Sequence, residues 1–414
     1  MRWLRGLDPR LPREVQLLQL GGLANAFGNG VVLPFMLIYL HNVQGISLGT
    51  AGLILATNGF VSIAAGPLGG TLVDRLGGKA VLAAALGFLT VGFGGYVLVD
   101  SAWKGFLVAG VTGIGNGLFW PAQSTLITLL TPRERRHNAF AMQRVVMNLG
   151  IGLGALAGGL IATTSRPATF DVLYLANAAT FVVYLVVLLV WVPDPRTDDV
   201  HGAGSSARYR VVLRDRAFMG VVAVNTLFVF AGMAGFELLP VYAKNEAAVT
   251  ETMIGIVFFV NTVVIVLAQL PVTKLSEGHR RMRTLALLGV LWAGCWVLVP
   301  LAGSWVTGAA AAAFLAAIMA TFGIGECLHG SVQGPLVADL AEPSLIGRYM
   351  ALSALSWQVG FALGPAVGGF VLAASPTAVW FGAAALCLAA GAASLSLERS
   401  LPVSARVNPV PEPA

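Results

Sequence analysis

Residues 193–216 read PDPRTDDVHGAGSSARYRVVLRDR, the one long hydrophilic break in a chain of 414 residues. It holds Asp194, Asp198 and Asp199 beside Gly202, Gly204, Ser205 and Ser206. Long apolar runs lie on both sides. A bilayer core takes about 20 apolar residues per helix. Six such runs precede the break, at about 15–40, 48–73, 80–99, 104–130, 138–163 and 170–192. Six follow it, at about 217–243, 252–274, 283–303, 308–337, 347–373 and 376–397. The pattern predicts an all-α membrane protein of twelve transmembrane helices in two six-helix bundles, 1–192 and 217–400. A linker (193–216) joins them, and a cytoplasmic tail (401–414) follows.

Composition points the same way. Apolar residues make up 57% of the chain and charged ones only 11%, against roughly a quarter charged in a soluble protein. The net charge of +6 reports topology. With a cytoplasmic N-terminus, 21 of the 25 Lys and Arg fall on cytoplasmic segments, and only Lys104, Arg166 and Lys244 on outer loops. The positive-inside rule then sets both termini in the cytoplasm, for a multi-pass protein of the inner or plasma membrane. Met1 to Arg13 carries four arginines without a cleavage site, so the run behind it is expected to stay as the first helix. No basic stretch is interleaved with aromatics, which argues against nucleic acid. Cys295, Cys327 and Cys387 sit in apolar runs with no disulfide or metal spacing. With no phosphate-cradling loop either, no enzyme, metal or cofactor is expected.

The two halves resemble one another. Shifted by 210, residues 113–159 fall on 323–369 with 13 identities in 47 positions. Gly113-Ile114-Gly115 meets Gly323-Ile324-Gly325, Gln123 meets Gln333, and Gly154 and Gly158 meet Gly364 and Gly368. A shift of 203 pairs Tyr39 with Tyr242, Asn58 with Asn261 and Asp74 with Glu277. Two like halves in parallel arrangement, related by a pseudo-twofold axis, describe one large transporter architecture.

Gly70-Thr71-Leu72-Val73-Asp74-Arg75-Leu76-Gly77-Gly78-Lys79 resembles the G-x-x-x-D-R-x-G-x-K loop of the major facilitator superfamily, and the likeness covers nearly the whole chain. It implies a gating loop of Gly70, Asp74, Arg75, Gly77 and Lys79, in which Asp74 meets the N-terminal end of helix 11 and holds the cytoplasmic side shut. The plainer alternative makes Arg75 and Lys79 topology anchors. Gly360, Gly364-Pro365 and Gly368-Gly369 resemble the family's antiporter motif, which helix 5 carries as Gly154-Ala155 and Gly158-Gly159, with proline replaced. Helix packing by small residues is the other reading of these glycines. Gly235-Phe236-Glu237-Leu238-Leu239-Pro240 and Gly325-Glu326 resemble LmrP-like multidrug transporters, and Gly117-Leu118-Phe119-Trp120-Pro121-Ala122 is similar to MdtH-like sequences. Where the LmrP-like pattern has an acid in helix 5, this chain has Gln143, followed by Arg144.

Few charges lie deep in the helices: Glu237, Glu326 and Arg144. Each costs at least about 2.5 kcal/mol at mid-bilayer and so marks a functional candidate. Glu326 and Glu237 are the proton-coupling candidates; His329, one helical turn after Glu326, can relay a proton or be a packed histidine. Arg144 can balance an acid or reach back to the membrane surface. By family position, Asn25, Asn29, Asn116, Gln123 and Gln333 are cavity candidates. Phe27, Phe35, Phe119, Trp120 and Trp357 are candidates for its greasy lining, with plain packing as the alternative. The resulting expectation is a monomeric proton antiporter, driven by the proton gradient, that exports hydrophobic or amphipathic small molecules. A carrier for one metabolite, lipid or siderophore is the alternative within transport, and a non-transporting sensor the alternative outside it.

Overall fold

The computed structural model describes residues 11–132, 135–194, 206–341 and 345–408. Without water to bond them, the amides of an apolar segment in lipid must pair within the segment, and the helix does this. Regular structure among the described residues is accordingly helical, apart from isolated bridges of Arg280 with Val407 and Ala302 with Val306. The first six long helices are α1 (Arg13–Val32), α2 (Leu48–Leu76), α3 (Gly78–Gly95), α4 (Ala102–Leu130), α5 (Arg136–Ile161) and α6 (Ala168–Trp191). A short α7 (Ser206–Arg214) precedes α8 (Arg216–Asn245), α9 (Glu251–Ser276), α10 (Arg281–Leu298), α11 (Gly308–Leu340), α12 (Ile346–Ala374) and α13 (Ala378–Leu397).

Among the described residues, eleven helices are long and apolar enough to cross a membrane. The expected span at 104–130 is α4, which has the length but not the same apolarity, because Lys104, Asn116, Pro121 and Gln123 interrupt it. Large apolar side chains such as Leu267, Leu270 and Val190 stand on the outer surface. In water such a face is an aggregation liability; in lipid it is matched to its solvent.

The chain divides into two compact units, Met1–Ile46 with Thr57–His201, and Ser47–Ala56 with Gly202–Ala414. In the first unit α1 packs on α5 and α6, and α3 on α4 and α6. In the second unit α8 packs on α12 and α13, and α10 on α11 and α13. The seams are built on small residues. At Gly154 an added methyl would run into the Phe27 carbonyl of α1, and at Gly158 into the Val31 carbonyl. Gly364 and Gly368 of α12 lie against Ala234 and Leu238 of α8 in the same manner, while the Pro365 carbonyl faces Gly52.

The linker and the tail carry structure of their own. The linker is not wholly irregular, since Ser206–Arg214 is helical; 195–205 lie outside the described residues. The tail is not a free extension either. Residues 401–408 turn back onto the junction of α9 and α10, where Arg281 is fully buried. Arg281 Nη2 donates to Asp339 Oδ2 at 2.6 Å, Nε to Asn408 Oδ1 at 2.9 Å and Nη1 to the Ala405 carbonyl at 3.2 Å. Main-chain bonds add Arg281 N to Arg406 O and Asn408 N to His279 O, and Arg280 pairs with Glu398 at 2.8 Å. A buried guanidinium is tolerated only with its donors engaged, and the returning tail engages two of them.

Candidate functional site

In the first unit, α1, α4 and α5 each turn carboxamides toward one open cleft. Its lining includes Gln19, Asn25 and Asn29 of α1, Asn116, Phe119, Trp120 and Gln123 of α4, Gln143 and Met147 of α5, and Phe181 of α6. Gln143 Nε2 donates to Gln123 Oε1 at 2.8 Å, and Gln123 Nε2 donates to the buried Tyr184 hydroxyl at 3.0 Å. Asn29 Nδ2 donates to Asn25 Oδ1 at 3.2 Å, and Asn177 Nδ2 to Asn29 Oδ1 at 3.4 Å. Gln19 Nε2 is held by the Ala139 carbonyl at 3.1 Å. The amides therefore brace one another across four helices, which fixes their orientation toward the cleft.

The second unit carries the carboxylates. Glu326 of α11 is half-buried and accepts a hydrogen bond from Asn261 Nδ2 of α9 at 2.9 Å. The same nitrogen donates to the Met319 carbonyl at 3.1 Å, which pins it. Glu237 of α8 is half-buried and makes no hydrogen bond or ion pair among the described residues. His329 is buried between Trp292 and Trp357, with ring centroids 6.4 and 5.4 Å away. Its Nε2 meets Asn225 Oδ1 at 2.7 Å, Asn225 Nδ2 donates to Ser356 Oγ, and Ser356 Oγ donates to the Ser353 carbonyl. Every donor along this chain points away from His329, so Nε2 carries the hydrogen and Nδ1 is the basic nitrogen.

Residues paired by the internal repeat make the same contacts in each unit. Asn58 and Asn116 are joined at 3.2 Å with Asn116 Nδ2 donating, and their counterparts Asn261 and Glu326 at 2.9 Å with the donor on the other partner, Asn261 Nδ2. The Tyr39 hydroxyl donates to the Tyr96 and Val99 carbonyls, and the Tyr242 hydroxyl to Ala302 O, the counterpart of Val99 at a shift of 203.

Of the cavity candidates, Asn25, Asn29, Asn116, Phe119, Trp120 and Gln123 meet in the first-unit cleft. Phe35 does not reach it. The helix tightens into a 3-10 turn at Leu33–Phe35, and Phe35 is buried against Gly158. Gln333 is buried in the second unit with its Nε2 unpaired, and Trp357 is partly exposed beside His329. Arg144 is exposed and forms no ion pair among the described residues. In the gating loop, Gly77 has φ of +87°, a left-handed conformation that favours glycine. Gly70 has open space around it, and Arg75 is exposed. Lys79 caps α6, its Nζ donating to the carbonyls of Val192 at 2.6 Å and Leu189 at 3.2 Å. The Asp74 side chain, with its expected contact near Gly347, lies outside the described residues. Gln19, Phe181, Tyr184, Asn177, Asn225 and Trp292 were not singled out by the sequence, which offers no signal for a braced amide inside an apolar helix.

A model of the Major Facilitator Superfamily matches residues 18–311 and 238–414. The chain is 25% identical to a Na(+), Li(+), K(+)/H(+) antiporter of Planococcus maritimus, over 85% of this chain and 86% of the relative. It is 24% identical to the multidrug resistance protein MdtH of Aeromonas salmonicida, again over 85% and 86%. Among solved structures, a POT family transporter in complex with 5-aminolevulinic acid superposes with a TM-score of 0.78 at 14% identity, covering 94% of this chain and 96% of that one. With its regular structure helical among the described residues apart from two isolated bridges, rich in spans and matched by the family model along nearly all its sequence, the chain belongs to the Major Facilitator Superfamily of membrane transporters.

Proposed function

We propose that the chain exports hydrophobic or amphipathic small molecules in exchange for protons. In this reading α4 completes twelve spans, two bundles are related by a pseudo-twofold axis, and a monomer works in the cell membrane with both termini cytoplasmic. The observation that carries the proposal is Glu326, a half-buried carboxylate held by a single donor, Asn261, that is itself pinned. The repeat position in the first unit holds the neutral Asn116. Only one half therefore carries a titratable group there, and gain or loss of a proton changes one defined contact. Each proton moving inward across 100 mV supplies about 2.3 kcal/mol for uphill export. The similarity to a multidrug resistance protein and to a cation/proton antiporter supports both parts of the reading.

Glu326→Gln keeps the shape and the hydrogen-bonding capacity of the protonated acid. The variant should insert and bind substrate but lose transport driven by an imposed pH gradient in proteoliposomes, while downhill exchange persists. Glu237→Gln should show a milder defect. Wild-type uphill rates in Glu326→Gln would make Glu326 a structural residue.

A further inference from the structure

We infer that the first-unit cleft selects an uncharged ring compound bearing several hydroxyl or amide N–H groups, and not a lipophilic cation. The inference rests on the reading of the chain as a small-molecule exporter and adds the substrate class.

Among the described residues, the lining of the cleft contains six carboxamides and no charged side chain. Bracing consumes only part of their hydrogen-bonding capacity. Among the described residues, Gln19 Oε1, Asn116 Oδ1 and Gln143 Oε1 accept no hydrogen bond, and the Asn25 amino group donates none. All four residues line the cleft, and none of these atoms is among the buried polar atoms that lack a partner. Three acceptors and one amino donor suit a ligand that presents two or three O–H or N–H groups and one carbonyl. An amide oxygen offers a dipole where a cation stripped of water demands a counter-charge, and this lining has none. Quaternary phosphonium cations, moreover, bring no donors for the three oxygens. The exposed indole of Trp120, set edge-on to Phe119 at 5.4 Å, offers a flat apolar face for a ring. A site built from polar groups that need partners rejects a ligand unable to supply them.

Equilibrium binding to the purified protein, without any gradient, tests this through tryptophan quenching and calorimetry. Chloramphenicol is the neutral probe, with two hydroxyls, one amide N–H and an aromatic ring; tetraphenylphosphonium, an aromatic cation with no N–H or O–H group, is the cationic probe. The wild type should prefer chloramphenicol. Gln143→Met and Gln19→Met, each of which removes one free acceptor at nearly constant volume together with the amide donor to Gln123 Oε1 or to the Ala139 carbonyl, should weaken chloramphenicol about tenfold and leave tetraphenylphosphonium unchanged. Gln143→Glu, which puts a negative charge in the cleft, should reverse the preference. Thermal unfolding identifies any variant that has lost its fold, and the remaining variants then carry the test. Tighter wild-type binding of tetraphenylphosphonium, or chloramphenicol affinity indifferent to both methionine variants, overturns the inference. A protein that pumps tetraphenylphosphonium on a pH gradient yet ignores chloramphenicol fails this inference alone. One that binds chloramphenicol as expected but pumps normally as Glu326→Gln fails only the coupling proposal.

Discussion

Replacing Gly154 by alanine ought to help a helix, yet the seam between α1 and α5 makes the opposite outcome expected. The new methyl would run into the Phe27 carbonyl and stand 2.8 Å from Val31 N and 2.9 Å from Gly30 Cα. All three obstacles are backbone, so no rotamer change relieves them and the helices must part. Overpacking of this kind costs about 1–3 kcal/mol, while the helix-propensity gain of alanine returns about 0.5–1 kcal/mol. Gly110 of α4 supplies the control, because the same methyl there meets nothing within 4 Å. The propensity gain is common to both substitutions, so the variants should differ by the clash alone, about 1–3 kcal/mol. Unfolding of a membrane protein in detergent is a rate measurement as much as an equilibrium one, so the variants are compared at one scan rate by tryptophan fluorescence. The functional consequence follows from the same seam, since α1 supplies Asn25 and Asn29 and α5 supplies Gln143 to one cleft. Gly154→Ala should therefore also bind substrate more weakly. If Gly154→Ala melts at or above Gly110→Ala, the two helices need no backbone contact and the reasoning is wrong.

Asn408→Ala removes the acceptor for Arg281 Nε and the donor to the Ser276 carbonyl. One charge-assisted and one neutral bond together are worth about 2–4 kcal/mol. Arg281→Met in that background should recover part of the loss, because no buried cation remains while the Asp339 side chain is 46% exposed to water. A double-mutant cycle by thermal unfolding reads this, and strictly additive losses would argue against the clasp. Lys79→Met takes the cap from the last carbonyls of α6, at a cost of about 0.3–1 kcal/mol. Faster amide hydrogen exchange at the C-terminal end of α6 is the expected signature, and unchanged exchange would show that the cap does nothing.

The spans were legible because lipid demands long apolar runs, and that demand is written residue by residue. The partial exception, α4, fell short for an equally legible reason, since the polar residues that interrupt it supply Asn116 and Gln123 to the cleft. Asn25, Asn29, Asn116 and Gln123 of the cleft were named from family position, and Phe119 and Trp120 as aromatic candidates for its lining. What was not recoverable depends on rotational phase. A helix apolar on all sides gives no periodic signal for which face turns inward, so Gln19 and Tyr184 looked like any other interruption. Phe35, offered as cavity lining or as plain packing, is packed against Gly158 in the 3-10 turn at Leu33–Phe35, a turn that gives no periodic signal. Gln143 entered the sequence reading only as a missing acid. Its bond to Gln123, 20 residues away, makes it part of the amide brace. The returning tail was illegible because its partner, Arg281, looked like one more topology-setting cation.

That tail also has a consequence for biosynthesis. Ala405 and Asn408 follow Arg281 by 124 and 127 residues, so a ribosome adding about 5–20 residues per second makes them roughly 6–25 s later. Through that interval the Arg281 side chain has only Asp339 to hold it and must remain in water, since sealing it in with donors unpaired is too costly. The junction of α9 and α10 is thus left open until translation passes Asn408, and the second unit completes its fold after its helices are already in the bilayer.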